Sequence, residues 1–148
     1  MGCMLLTGSP HIDAERAFKR AARGRRLGAF QRRLRGQPAD GGRLEVIKEL
    51  CAVPRRGGIR EIPVAAISAT LEPSRAAQFD RDFRPAPIAR ARWQRVWLAE
   101  ERGAVLPPIT VVPVGDRFAV SDGHHRVSVA KARGSVTIDA HVDGTLAA

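Results

Sequence analysis

The chain has 148 residues, enough for one domain or a domain with a helical arm. At 44% hydrophobic residues it is too apolar to be wholly disordered, and no run approaches the ~20 apolar residues of a membrane span. Lys and Arg number 25 against 15 Asp and Glu, a formal charge of +10. That balance suits a polyanionic partner, and equally an Arg-rich, Ala-rich chain kept soluble by charge.

Cys3 and Cys51 form no disulfide framework and no C-x-x-C, so a reducing, cytoplasmic compartment is expected. The start, Met1 to Thr7, lacks the basic flank of a signal peptide, so no leader is expected. Charge is concentrated early: residues 1–50 hold 11 of the Lys and Arg against 5 of the Asp and Glu.

Asp13 is placed to cap a helix from Ala14 to about Leu34. Ala14, Ala17, Phe18, Ala21, Ala22, Ala29, Phe30 and Leu34 form its expected apolar stripe. Arg20, Arg23, Arg25, Arg26, Arg32 and Arg33 cover much of the rest and are the candidates for nucleic-acid backbone contact. Gly24 and Gly28 weaken the middle, which allows two shorter helices. A second helix is expected from Leu44 to about Cys51, with Cys51 a small buried apolar residue. Pro54 to Gly58 then read as a hinge.

From Ile59 the pattern turns to strand. Ile59, Ile62, Val64 and Ile67 read as one extended segment, with Pro63 marking a sheet edge. Thr70 to Pro87 is irregular. Ile88 to Arg102 is an amphipathic helix with Ile88, Ala89, Trp93, Val96 and Trp97 inward, the two Trp as core. Ile109 to Val114 and Phe118 to Ser121 make a hairpin about Gly115-Asp116. A helix from Arg126 to Arg133 and a strand from Val136 to Val142 follow, with a frayed tail from Asp143.

Chemistry is concentrated in Asp122-Gly123-His124-His125-Arg126. A strand ends there, glycine permits close backbone approach, and a helix begins whose N-terminus offers unpaired N–H groups. Arg126 matches phosphate oxygens, and the histidines add donors or a base. Asp122 could orient a histidine or hold hydrated Mg²⁺. A capped helix with polar turn residues would read the same way. Asp122, His124, His125 and His141 lack metal-ligand spacing, so no metal held by protein alone is expected. No nucleophile-elbow spacing surrounds Ser121 or Ser128.

The blocks Leu106 to Val111, Phe118 to Arg126, Ala130 with Gly134, and Ile138 to Val142 resemble the ParB/sulfiredoxin-like superfamily. Ile59 to Ile67 looks like its opening strand and Ile88 to Gly103 like its middle helix. The resemblance implies an α/β (α+β) domain at residues 57–148, with a small mixed sheet, behind a basic helical arm and hinge at 1–56. It also implies that Gly123, His124, His125 and Arg126 handle nucleotide phosphate. His124 stands where sulfiredoxins carry their catalytic cysteine, so sulfinic-acid repair is not expected. One arginine of the ParB phosphate clamp is matched, and a complete partition protein with ParB's later domains is not expected. The run Asp-Gly-His-His-Arg is most similar to the free serine kinases of the superfamily, whose general base follows the opening strand. Glu72 is nearest in position.

The function expected is a nucleotide-phosphate-binding, ParB-like protein associated with DNA, partition- or regulator-like. The alternative is a small-molecule phosphotransferase or NTP hydrolase using Asp122, His124, His125 and Glu72 as catalytic residues. The ligand expected is a nucleoside di- or triphosphate with Mg²⁺. The partners expected are a nucleotide and nucleic acid, with no membrane and with a homodimer left open.

Overall fold

The computed structural model describes residues 7–48 and 57–144. The elements in chain order are α1 (Pro10–Leu34), β1 (Glu45–Val46), β2 (Ile59–Pro63), β3 (Ile67–Thr70) and α2 (Pro73–Ala76). α3 (Arg90–Glu101), β4 (Ile109–Val114), β5 (Arg117–Asp122), α4 (His124–Ala132) and β6 (Thr137–Val142) complete them. The fold is mixed α/β, with one six-stranded sheet in the order β1-β3-β5-β4-β6-β2. β1–β3, β3–β5 and β4–β6 are parallel, whereas β4–β5 and β2–β6 are antiparallel. Among the described residues no helix is long and apolar enough to cross a membrane.

The hairpin about Gly115-Asp116 forms as the alternation of Ile109 to Val114 predicts, with Val112 opposite Ala119. The single extended segment expected from Ile59 to Ile67 is in fact two strands. Pro63 lacks the N–H to continue a ladder, and a short 3₁₀ turn at Val64–Ala66 follows it. β2 ends up at one edge of the sheet, as Pro63 requires, while β3 lies between β1 and β5. The helix expected from Leu44 is also corrected. Glu45–Val46 pairs with Ala69–Thr70, and the Ile47 N–H donates to Thr70 O. Leu44 is buried, so the apolar spacing that suggested a helix face serves a strand entry. Cys51 and most of the expected hinge lie outside the described residues.

α1 begins at Pro10, earlier than expected, with Ser9 in the cap position. Asp13 therefore lies inside the first turn. Its buried carboxylate accepts from the Thr7 N–H (3.1 Å) and hydroxyl (2.9 Å). The helix is continuous through Gly24 and Gly28. Its first half buries Ala14, Ala17, Phe18 and Ala22, with Phe18 edge-on to Trp93 at 5.6 Å. The expected stripe does not persist to the end. At 100° per residue Phe30 and Leu34 fall on the side opposite Ala14, and both are exposed with Leu27. Gly24 has a packing role: Arg84 crosses the helix there and donates to Gly24 O at 3.0 Å. A Cβ at Gly24 would stand 3.3 Å from that side chain.

α3 places Trp93 and Trp97 in the core, whereas Ile88 points to solvent, because the chain enters through a 3₁₀ turn at Pro87–Ala89. The Trp93 indole N–H donates to Ser128 Oγ at 2.9 Å, joining α3 to α4. Ser128 in turn donates to Phe83 O at 2.5 Å. The segment before α3 is organised by Asp80, whose carboxylate accepts from the Asp82 and Arg84 N–H groups at 3.0 and 2.9 Å. That turn holds Phe83 at φ 57° and buries Phe79 and Phe83. Phe79 is the floor on which the site rests.

Candidate anion-binding cleft

β5 ends at Asp122 and α4 starts at His124, with Gly123 between them at φ 100°. This left-handed conformation disfavours a side chain. A Cβ would also meet Ile109 Cγ2 at 2.5 Å. The strand-to-helix turn can thus be this tight only with glycine. The first i→i−4 bond of α4 runs from the Val127 N–H to Gly123 O, which leaves the N–H groups of His124, His125 and Arg126 outside the helix ladder.

The helix starts two residues earlier than the apolar pattern suggests, so both histidines belong to its first turn and are buried. His124 stacks on Phe79 (6.4 Å between centroids, 19° between planes), and His125 meets the same ring edge-on at 5.1 Å. His124 Nε2 lies 2.6 Å from Thr70 Oγ1 at the end of β3. Burial is the main cause that pushes both imidazoles down to about 4. The charge of Arg75, then that of His125 and Arg92, adds to it at His124; Arg92, Arg75 and Arg95 do so at His125. Both rings are therefore neutral at pH 7.

Arg126 is committed to the protein itself. Its guanidinium donates to Pro107 O, to Pro108 O at 2.9 Å and to Asp122 Oδ2 at 2.9 Å. It ties the approach to β4 onto α4, and its backbone N–H is what faces the helix start. Asp122 does not orient a histidine, as the sequence suggested. Its exposed carboxylate is drawn to Arg126 one helical turn away, and Thr70 holds His124 instead.

A cleft of about 270 Å³ opens at this helix start, lined by Arg75, Arg92, Leu106, Asp122 and the 123–126 turn among others. Arg75 comes from α2 and Arg92 from α3. Among the described residues neither is in an ion pair. Arg75, Arg92 and Thr70 escape a reading of the turn alone, because they lie 30 to 55 residues before it and share no motif with it. Glu72 is exposed and does not line the cleft. Its backbone N–H donates to Thr70 Oγ1 at 2.9 Å. The donor set fits an anion and not a magnesium ion, since Asp122 is the sole carboxylate on the lining and is already paired with Arg126. Among the described residues no three His, Cys, Asp or Glu side chains are grouped to hold a metal.

The arginines of α1 divide into two sets. Arg20, Arg23, Arg26 and Arg33 are exposed, whereas Arg25 and Arg32 are half-buried. The Arg25 Nε is buried without a partner, and Arg32 lies against Gly42.

No family model and no curated protein sequence matches the chain. Among solved structures the chain is similar to a sulfiredoxin from Arabidopsis thaliana, with 20% identity and a TM-score of 0.41, over 57% of this chain and 83% of that one. It is also similar to a conserved hypothetical protein from Pyrococcus furiosus, with 14% identity and a TM-score of 0.38, over 66% of this chain and 34% of that one.

Proposed function

We propose that this chain is a phosphate-binding, ParB-like protein that takes the phosphates of a nucleotide at the start of α4 and meets nucleic acid through the outer face of α1. The observation that carries the reading is that Arg75 and Arg92 line the same cleft as the 123–126 turn, whose first N–H groups lie outside the helix ladder. Two cations without carboxylate partners, a helix N-terminus and neutral imidazoles make a cleft that stabilises negative charge. Arg20, Arg23, Arg26 and Arg33 support the second half, because among the described residues none of the four is in an ion pair.

The phosphotransferase reading also has support. His125 lines the cleft, and among the described residues its ring nitrogens hydrogen-bond to no protein group. Held at about 4 it is a weak base at pH 7, and the charge of a bound anion would raise it toward the range where it accepts a proton. Calorimetry with ATP, CTP and ADP, each with Mg²⁺, tests the cleft on the full chain, followed by an assay for turnover. Binding that Arg75→Ala and Arg92→Ala each weaken supports the reading, and no binding of any nucleotide removes it. Turnover lost in His125→Ala with binding retained would select the enzyme. For α1, the variant with Arg20, Arg23, Arg26 and Arg33 all changed to Gln should bind DNA more weakly. Its salt slope should fall by about 0.9 for each phosphate that α1 no longer neutralises. Unchanged affinity and slope would show that α1 is not the binding element.

A further inference from the structure

Thr70 is fully buried at the end of β3, and its hydroxyl is surrounded by partners. It accepts from the Glu72 N–H at 2.9 Å and lies 2.6 Å from His124 Nε2. Val120 O is 3.3 Å away and Glu72 O 3.5 Å. One hydrogen must be assigned. If the imidazole donated, the hydroxyl would have to donate to Val120 O or Glu72 O. Both distances exceed the usual range for a hydroxyl donor, and Val120 O would have to share its two lone pairs between that bond and the Leu71 N–H at 2.9 Å. If the hydroxyl donates to Nε2, the short separation is explained, because 2.6 Å falls below the usual N–H···O range and within that of hydroxyl donors. One of the two lone pairs on Oγ1 then accepts the Glu72 N–H.

The other ring nitrogen has a different environment. His124 lines the cleft, and among the described residues Nδ1 has no protein partner. A neutral imidazole carries one N–H, so a bare Nε2 places the proton on Nδ1; Phe79 stacks against the ring.

We propose that Thr70 is a positioning residue that locks His124 in the Nδ1–H tautomer and so turns a neutral imidazole into a hydrogen-bond donor to the anion in the cleft. The assignment rests on the reading of that cleft as an anion site. It gives the two histidines different roles. His124 donates and cannot serve as a base through Nδ1, which leaves any proton acceptance to His125. It also names the ligand class: a group with a bare acceptor oxygen at pH 7, such as a phosphate or carboxylate, and not an ammonium or a metal ion.

The test is long-range ¹H–¹⁵N NMR of the imidazoles at pH 7.5, on the full chain, without and with inorganic phosphate. The wild type and Thr70→Ser should show a protonated Nδ1 and a bare Nε2 on His124. Thr70→Val, which removes the donor but keeps the shape, should populate the Nε2–H form and weaken phosphate binding roughly tenfold, the scale of one hydrogen bond to a charged group. A protonated Nε2 in the wild type, or an unchanged tautomer in Thr70→Val, overturns the proposal. If Thr70→Val does not fold, the wild type and Thr70→Ser spectra decide it. An Nδ1–H tautomer together with no response to phosphate would instead remove the anion reading and leave the tautomer assignment in place.

Discussion

Acidification should destabilise this fold through His124 and His125 before its carboxylates titrate. Both rings are held at about 4 against an ordinary 6.5, mainly because they are buried and secondarily because arginines surround them. Between those two values the unfolded chain binds a proton on each histidine and the folded chain does not. Stability is therefore full above about pH 6.5 and falls as pH drops toward 4. A shift of this size corresponds to about 3 kcal/mol for each ring. The pair contributes less than twice that, since part of the depression at His124 is the charge of His125. Against a total stability of about 5–15 kcal/mol this decides whether the chain is folded at pH 4. Burial raises the Asp80 and Glu100 carboxyls, which act in the opposite sense as pH approaches the carboxylate range, so the clean window is pH 5–6.5. Urea denaturation across that window should give a slope near 1.4 kcal/mol per pH unit for each histidine at its steepest. His125→Gln should remove about half of it. A flat profile from pH 7 to 5, or an unchanged slope in the His124→Gln/His125→Gln double variant, would refute the argument.

Arg92→Ala should raise the pH at which both imidazoles protonate, and that of His125 more, since Arg92 is second only to burial there; proton NMR titration reads both shifts. Gly123→Ala should cost at least 2 kcal/mol by thermal or urea denaturation, because it combines a strained φ with a clash against Ile109. Arg126→Ala should lower stability by about 1.5–3 kcal/mol, since it frees Pro107 O and Pro108 O from a charged donor; an unchanged urea midpoint would mean that the clamp is unimportant. Gly24→Ala adds a helix-favouring residue yet should give no gain in melting temperature, as it presses on the Arg84 side chain.

Local pattern determined much of this protein. The β4–β5 hairpin, the core positions of Trp93 and Trp97, the edge placement of β2 and the strand–glycine–helix turn at 122–124 all follow from alternation, helical spacing and the needs of Pro63 and Gly123. These are short-range properties, and neighbouring residues are enough to state them. Tertiary structure decided which elements meet. Leu44 and Ile47 have the spacing of a helix face, yet the free edge of β3 draws Glu45–Val46 into the sheet. Phe30 and Leu34 extend the spacing that starts at Ala14 across a seven-residue gap from Ala22 to Ala29, and the phase drifts around a helix 25 residues long. The site shows the division most clearly. Its glycine, histidines and Arg126 are contiguous and legible. The commitment of Arg126 to Pro107 and Pro108, the hydroxyl of Thr70 on His124, and the arrival of Arg75 and Arg92 depend on segments far apart in the chain. Hydrogen-bond partners and electric fields are set by distance in space, and local sequence carries no record of that distance.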